Sequence, residues 1–164
     1  MCANYAAARR DRPFKQFGVE PRNSPWRDEV CKGYPAPIVR RLGDAERADV
    51  ATFGMVPREH IPPGVCVFCT MNALAEPVSE KRSFSGAWKL LQLCLIACEA
   101  FYGPNYESGK AVRRRINMVS GEPFAIGLWR EWDDGAVRKA LSFTMLTVNS
   151  SEHPVMRRFH KPGI

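Results

Sequence analysis

The sequence predicts an α+β fold: a single domain built on a mainly antiparallel, curled or barrel-like sheet with a few peripheral helices. Two observations carry that prediction. Short apolar runs with strand character recur along the whole chain, roughly seven or more against two or three helical segments. Most neighbouring runs are joined by turn formers at hairpin distance. A third observation narrows the class, because the chain contains no βαβ series, phosphate-binding loop or dinucleotide fingerprint. The 164 residues suit one domain with a proper core, taken as residues 1–164.

The elements follow in order. "DRPFKQFGV" is a short amphipathic segment closed by Gly18, and residues 21–37 are a loop rich in proline and turn formers. "PIVRRLGDAERADVATFGMVP" reads as strand, Gly-Asp turn, strand. "REHIPPGV" interrupts the chain, and "VCVFCTM" reads as a buried strand. Phe84, Ala87, Trp88 and Leu91 fall at i, i+3, i+4 and i+7, which predicts a helix with one apolar face. "LCLIACEAFY" is expected as one strand and "AVRRRINMV–SGEP–FAIGLWREW" as a second hairpin. "KALSFTMLTVN" is a further strand after Asp134 and Gly135.

Composition excludes several classes. An apolar share of 45% and a charged share of 25% belong to an ordinary globular chain, and no apolar run reaches bilayer length. The N-terminus lacks the apolar stretch of a secretory signal, which points to the cytoplasm. The net charge is +7, with basic residues concentrated near the N-terminus, at Arg113, Arg114 and Arg115, and at Arg157, Arg158 and Lys161. Such clusters suit a polyanion partner, or equally a solvated basic face.

Six cysteines without a secretory signal imply free thiols in a reducing compartment. The pairs Cys66/Cys69 and Cys94/Cys98 have a spacing that zinc ligands use. Their flanks read as strands rather than as Gly-rich knuckles, so they are expected as small core residues. No metal or other cofactor is expected.

Cys2 is the first candidate for chemistry. Removal of Met1 would leave a 1,2-aminothiol, whose amine and thiol are both nucleophiles near neutrality. An aldehyde forms a Schiff base with such an amine, and the thiol closes a five-membered thiazolidine. Only a chain-terminal cysteine can do this. Asn72, expected after an apolar strand and before a helix, can hydrogen-bond a nucleophile or a sugar hydroxyl, or simply cap the helix. His153 and His160 lie among cations, which favours the neutral imidazole and suits acid–base work.

Taken together, collinear segments resemble the SOS response-associated peptidase (SRAP) family of abasic-site processing proteins. "MCANY" is similar to its opening Met-Cys-Gly-Arg-Phe, "GYPAPIV" to Arg-Tyr-Asn-x-Ala-Pro and "FGMVP" to Trp-Gly-x-x-Pro. "MNALAEPVSEKRSF" resembles Asn-Ala-Arg-x-Glu-Thr followed by Glu-Lys-x-x-Phe, and "CLIACEAFYG" resembles Cys-Leu-Ile-Pro-Ala-Asp-Gly-Phe-Tyr-Glu. "GLWREW" and "TMLTVN…FH" complete the series.

The resemblance implies a monomer that binds single-stranded DNA carrying an abasic site, with no membrane partner. It implies a thiazolidine crosslink from Cys2, a hydrogen bond from Asn72 and proton transfer by His160, which follows an apolar residue as the family's histidine does. Pro37 and Asn4 match DNA-contacting positions, Asn4 standing where the family has arginine. Gly103 replaces an acid that the family uses for proton shuttling. Glu99 and Glu107 lie about 13 Å away along a strand. Relative to the family the chain is expected to be short at its C-terminal end. The alternatives are a catalytically compromised single-stranded DNA binder and a thiol autopeptidase.

Overall fold

Gly43 and Asp44 turn the chain tightly enough for the flanking strands to pair over their full length. In the computed structural model, which describes residues 4–8, 14, 18–19, 25–122, 125–135 and 139–159, β3 (Pro35–Leu42) runs antiparallel to β4 (Ala45–Phe53). Their register extends from Pro35↔Thr52 to Leu42↔Ala45, as the Gly-Asp signal predicts. β6 (Leu93–Ile96) adds to the other edge of β3, and β9 (Ile126–Trp132) adds to β6. β10 (Ala140–Thr147) then pairs antiparallel with β9 and parallel with β4. That last pairing, Ser142↔Thr52 and Phe143↔Phe53, closes a five-stranded barrel with no free edge among those strands. β5 (Asn72–Leu74) lies parallel to β10 beyond the closure.

A second sheet has the order β2 (Glu29–Cys31), β1 (Asn4–Ala7), β7 (Cys98–Asn105), β8 (Val112–Ile116). Tyr5, Ala7, Val30 and Cys98 from this sheet share one core with Ile38, Phe53, Ile96, Trp129, Phe143 and Met145 from the barrel. The second sheet therefore packs on the barrel.

Alternation explains which side chains enter the barrel. Along β6, Cys94 and Ile96 are buried while Leu93 and Leu95 face outward. Arg40 also points inward, where its Nε donates to Asp49 at 2.8 Å and its Nη1 to Glu131 at 3.3 Å. Its guanidinium lies 4.2 Å from the Trp129 ring centroid, so a paired and stacked cation fills this part of the interior. Gly127 meets both β6 and β10. A Cβ there would fall 2.3 Å from the Thr144 carbonyl oxygen and 2.7 Å from Ile96 Cδ1, so only glycine fits.

Several expectations change. The segment "LCLIACEAFY" is two strands, since the chain leaves the barrel at Ala97 and enters the other sheet as β7. β8 pairs with β7, not with β9, so "AVRRRINMV" and "FAIGLWREW" do not form a hairpin. Residues 66–70 are not in a strand, and Cys66 and Cys69 are exposed, whereas Cys94 and Cys98 are buried as expected. The helix is only Ser85–Lys89. It buries Phe84 and Ala87, but Leu91 leaves the apolar face and is 74% exposed. Leu91 adopts φ 51°, with Leu91 N–H donating to Trp88 O and Gln92 N–H to Ala87 O. Those two bonds define a Schellman C-cap with leucine where glycine is usual. Of the N-terminal segment "DRPFKQFGV", Phe14 is buried and most of the rest lies outside the described residues.

Candidate functional site

Tyr5 is fully buried on β1 and anchors one end of an aromatic series. Its ring lies 5.2 Å from Phe53 at 88°, and Phe53 stacks on Phe143 at 5.1 Å and 27°. Phe143 shares its strand face with Met145, and Met145 is the register partner of Asn72. Register partners on parallel strands share a face, so Asn72 projects onto the core side that Tyr5 occupies. Asn72 opens β5 rather than closing an apolar strand, and its Oδ1 is buried, as is the Tyr5 hydroxyl. Cys2 precedes Tyr5 by three residues in sequence and, like His160, lies outside the described residues.

Gly103 belongs to the same sheet face. Tyr5 pairs with Phe101, and position 103 follows two residues along β7, paired with Arg114. A Cβ at Gly103 would lie 3.4 Å from Ile116 Cδ1 and 3.6 Å from Phe159 Cδ1. The Phe159 ring therefore packs against the position where the resemblance places an acid. Phe159 ends the 3₁₀ turn Met156–Phe159, directly before His160.

That turn has its own anchors. His153 Nδ1 accepts from the backbone N–H of Val155 at 3.2 Å and of Met156 at 3.1 Å. Arg158 pairs with Glu107 at 3.4 Å, and Glu107 also accepts from Asn105 Nδ2 at 3.0 Å. His153 thus caps the turn. Glu107 is held by Asn105 and Arg158, while Glu99 lies 4.0 Å from Arg115, so neither takes the place of an acid at position 103.

The opposite face of this sheet is polar. Asn4 Nδ2 donates to Glu29, and Glu29 pairs with Arg113 at 2.7 Å. The Arg113 guanidinium stacks 3.7 Å from the Tyr102 ring centroid. Asn4 is therefore part of an ionic cluster on the outer surface of the sheet. β8 is the edge strand, and Arg113, Arg114 and Arg115 are all exposed on it. Arg158, through its pair with Glu107, lies at the connection between β7 and β8.

Pro37 pairs with Val50 inside β3 and is among the fully buried side chains. Sequence reasoning missed Tyr5 and Phe159. Alternation along β1 signals the first, whereas the contact of Phe159 with Gly103 has no local signature.

Two ionisable groups depart from ordinary behaviour. The backbone N–H of Asn149 donates to Glu76 at 2.9 Å and holds its carboxyl below the usual range. This bond joins the end of β5 to the end of β10 and gives a structural reason for the Glu in "NALAE". Burial pushes the Cys94 thiol far up, which makes it inert. Among the described residues, no three His, Cys, Asp or Glu side chains gather to hold a metal ion. Nor, among them, is any helix long and apolar enough to cross a membrane.

Barrel and second sheet together define a small β-barrel protein with a buried aromatic series and an edge strand of exposed arginines. The SOS response associated peptidase (SRAP) family model matches residues 1–161, and the chain belongs to that family. Membership associates it with DNA and the response to DNA damage, in a family known for peptidase-like and DNA-crosslinking activity.

Among solved structures, a protein from Bordetella bronchiseptica is similar at 30% identity and a TM-score of 0.83. That match covers 99% of this chain and 80% of the other. A protein from Bacteroides thetaiotaomicron is similar in fold at 16% identity and a TM-score of 0.68, covering 90% of this chain and 68% of that one. A phage-related protein from Bordetella bronchiseptica gives 18% identity and a TM-score of 0.56, covering 92% and 70%. No curated protein matches the chain significantly.

Proposed function

We propose that this chain binds single-stranded DNA containing abasic sites and traps the lesion covalently through Cys2 once Met1 is removed. The ring-opened sugar presents an aldehyde at C1′. The Cys2 α-amine adds to it and water leaves, giving an imine. The Cys2 sulfur then adds to the imine carbon, the nitrogen takes up a proton, and a thiazolidine results. Asn72 orients the sugar or the nucleophile by hydrogen bonding, and His160 moves protons. Arg113, Arg114, Arg115, Arg157 and Arg158 hold phosphates, giving salt-dependent affinity. Asn4, tied to Glu29, contributes an amide near that surface.

The observation that carries this reading is convergence. The strand that follows Cys2 and the face bearing Asn72 contribute to one core, and the turn that precedes His160 packs on Gly103 of the same sheet, whose edge strand carries exposed arginines. The test is a denaturing gel of Met-cleaved protein mixed with uracil-excised single-stranded DNA. A shifted band that Cys2→Ala abolishes supports the proposal, and a band that survives Cys2→Ala contradicts it.

The Phe159 ring packed on Gly103 favours a second reading, a single-stranded DNA binder whose covalent step is impaired. It predicts salt-sensitive binding with nothing that survives denaturant.

A further inference from the structure

The Cys66–Cys69 pair serves neither the core nor the site above. Residues 66–70 run without turn or bend, and every residue from 64 to 69 is exposed. Val65, Val67 and Phe68 remain 43–46% exposed, so the segment stands off the body. Lys32 Nζ holds its middle through a 3.1 Å bond to the Phe68 carbonyl. The segment then stops abruptly at Thr70, which is 1% exposed. Thr70 Oγ1 accepts from Val56 N–H at 3.0 Å, and Thr70 O accepts from Met55 N–H at 3.1 Å. Two solvent-facing thiols thus sit on a loosely held strip whose C-terminal end is fixed.

We propose that Cys66 and Cys69 form a dithiol site for thiol–disulfide exchange, with low-molecular-weight disulfides such as oxidised glutathione as the oxidant. The spacing suits exchange, because a second thiol three residues beyond its partner resolves a mixed disulfide faster than solvent thiols do. One cysteine sulfur attacks the small disulfide, forms a protein–glutathione bond and releases one glutathione. The other cysteine attacks that bond, closes the Cys66–Cys69 disulfide and releases the second glutathione. Each protein thiol gives its proton to a departing glutathione, and the protein loses two electrons to the oxidant.

Geometry sets the consequence. In a straight segment, residues three apart have Cα atoms about 10 Å apart, whereas a disulfide requires about 4.4–6.8 Å. Closure therefore bends the strip at Val67 and Phe68 and breaks the Lys32 bond. Exposed Val67 and Phe68 lose little packing in that bend. The anchors at Thr70 keep the bend from reaching Asn72, so the barrel stays folded.

The experiment uses the full chain carrying Cys2→Ala, which removes the N-terminal thiol and makes the result independent of the proposed DNA chemistry. Reduced protein is exposed to oxidised glutathione, and intact mass and peptide maps are recorded. The expected result is loss of two hydrogens, a Cys66–Cys69 bridge, no retained glutathione and full reversal by reductant. Adding Cys69→Ser should leave one glutathione on Cys66. Retained glutathione in the parent, a bridge to Cys31, or no reaction would each overturn the proposal. Buried Cys94 and Cys98 provide an internal standard, since they should stay unmodified until the protein unfolds.

Discussion

Gly103 and Phe159 show how single residues decide what this site can do. The contacts of 3.4–3.7 Å around a Cβ at position 103 are ordinary packing distances, so Gly103→Ala should leave the unfolding midpoint almost unchanged. A glutamate is different, because its carboxylate must pass the Phe159 ring. Gly103→Glu alone should lower the midpoint, and adding Phe159→Ala should recover it and speed crosslink formation. A Gly103→Glu protein that is both fully stable and unchanged in rate would show that Phe159 does not occupy that space. The candidacy of Cys2, the nucleophile proposed above, comes from sequence alone, because a terminal position is what would give a cysteine a free amine beside its thiol. The Gly103–Phe159 contact is not legible in sequence, because packing between distant segments leaves no local pattern.

At the scale of elements, local patterns show where strands occur but not which strands pair. The β3–β4 hairpin and the β9–β10 pair were legible because Gly43-Asp44 and Asp134-Gly135 mark short connections. The partner of β8 was not, since its arginines alternate with nothing and the fold sends β9 back to the barrel. The helix end was misplaced because a left-handed leucine interrupts the i, i+3, i+4, i+7 series. Leu91 is mostly exposed, so Leu91→Gly should remove backbone strain at little packing cost and stabilise by about 1 kcal/mol, read by urea unfolding. Gly127→Ala should do the reverse. It forces a methyl onto the Thr144 carbonyl and should destabilise by about 3 kcal/mol or prevent folding.

Glu76 links β5 to the chain beyond β10, and its behaviour with pH has a definite sign. Its carboxyl is held below the usual range in the fold, so its contribution is present above the ordinary carboxylate value. It is lost as pH falls through the lowered one. Glu76→Gln should therefore flatten the stability curve at acid pH and leave its shape near neutrality unaltered. An unchanged acid limb would remove Glu76 from the account.

At the scale of the molecule, the fold of this +7 chain places Arg113, Arg114 and Arg115 on the edge strand of the smaller sheet, with Arg158 at the connection that leads into it. Composition gave the charge, and only the structure shows Phe159 packed on Gly103 and Arg158 paired with Glu107 between β7 and β8. Replacing Arg114 and Arg157 with glutamine should weaken single-stranded DNA binding and reduce the slope of affinity against salt by about one to two phosphate contacts. A slope that does not change would place the DNA elsewhere.

The central claim, that this surface delivers a lesion to an N-terminal aminothiol, is tested most directly by mass spectrometry of the adduct. Met-cleaved protein incubated with abasic single-stranded DNA, digested and sequenced, should carry the sugar remnant on a peptide beginning at Cys2, closed as a thiazolidine. A remnant attached to a lysine, or an adduct unaffected by Cys2→Ala, would contradict it.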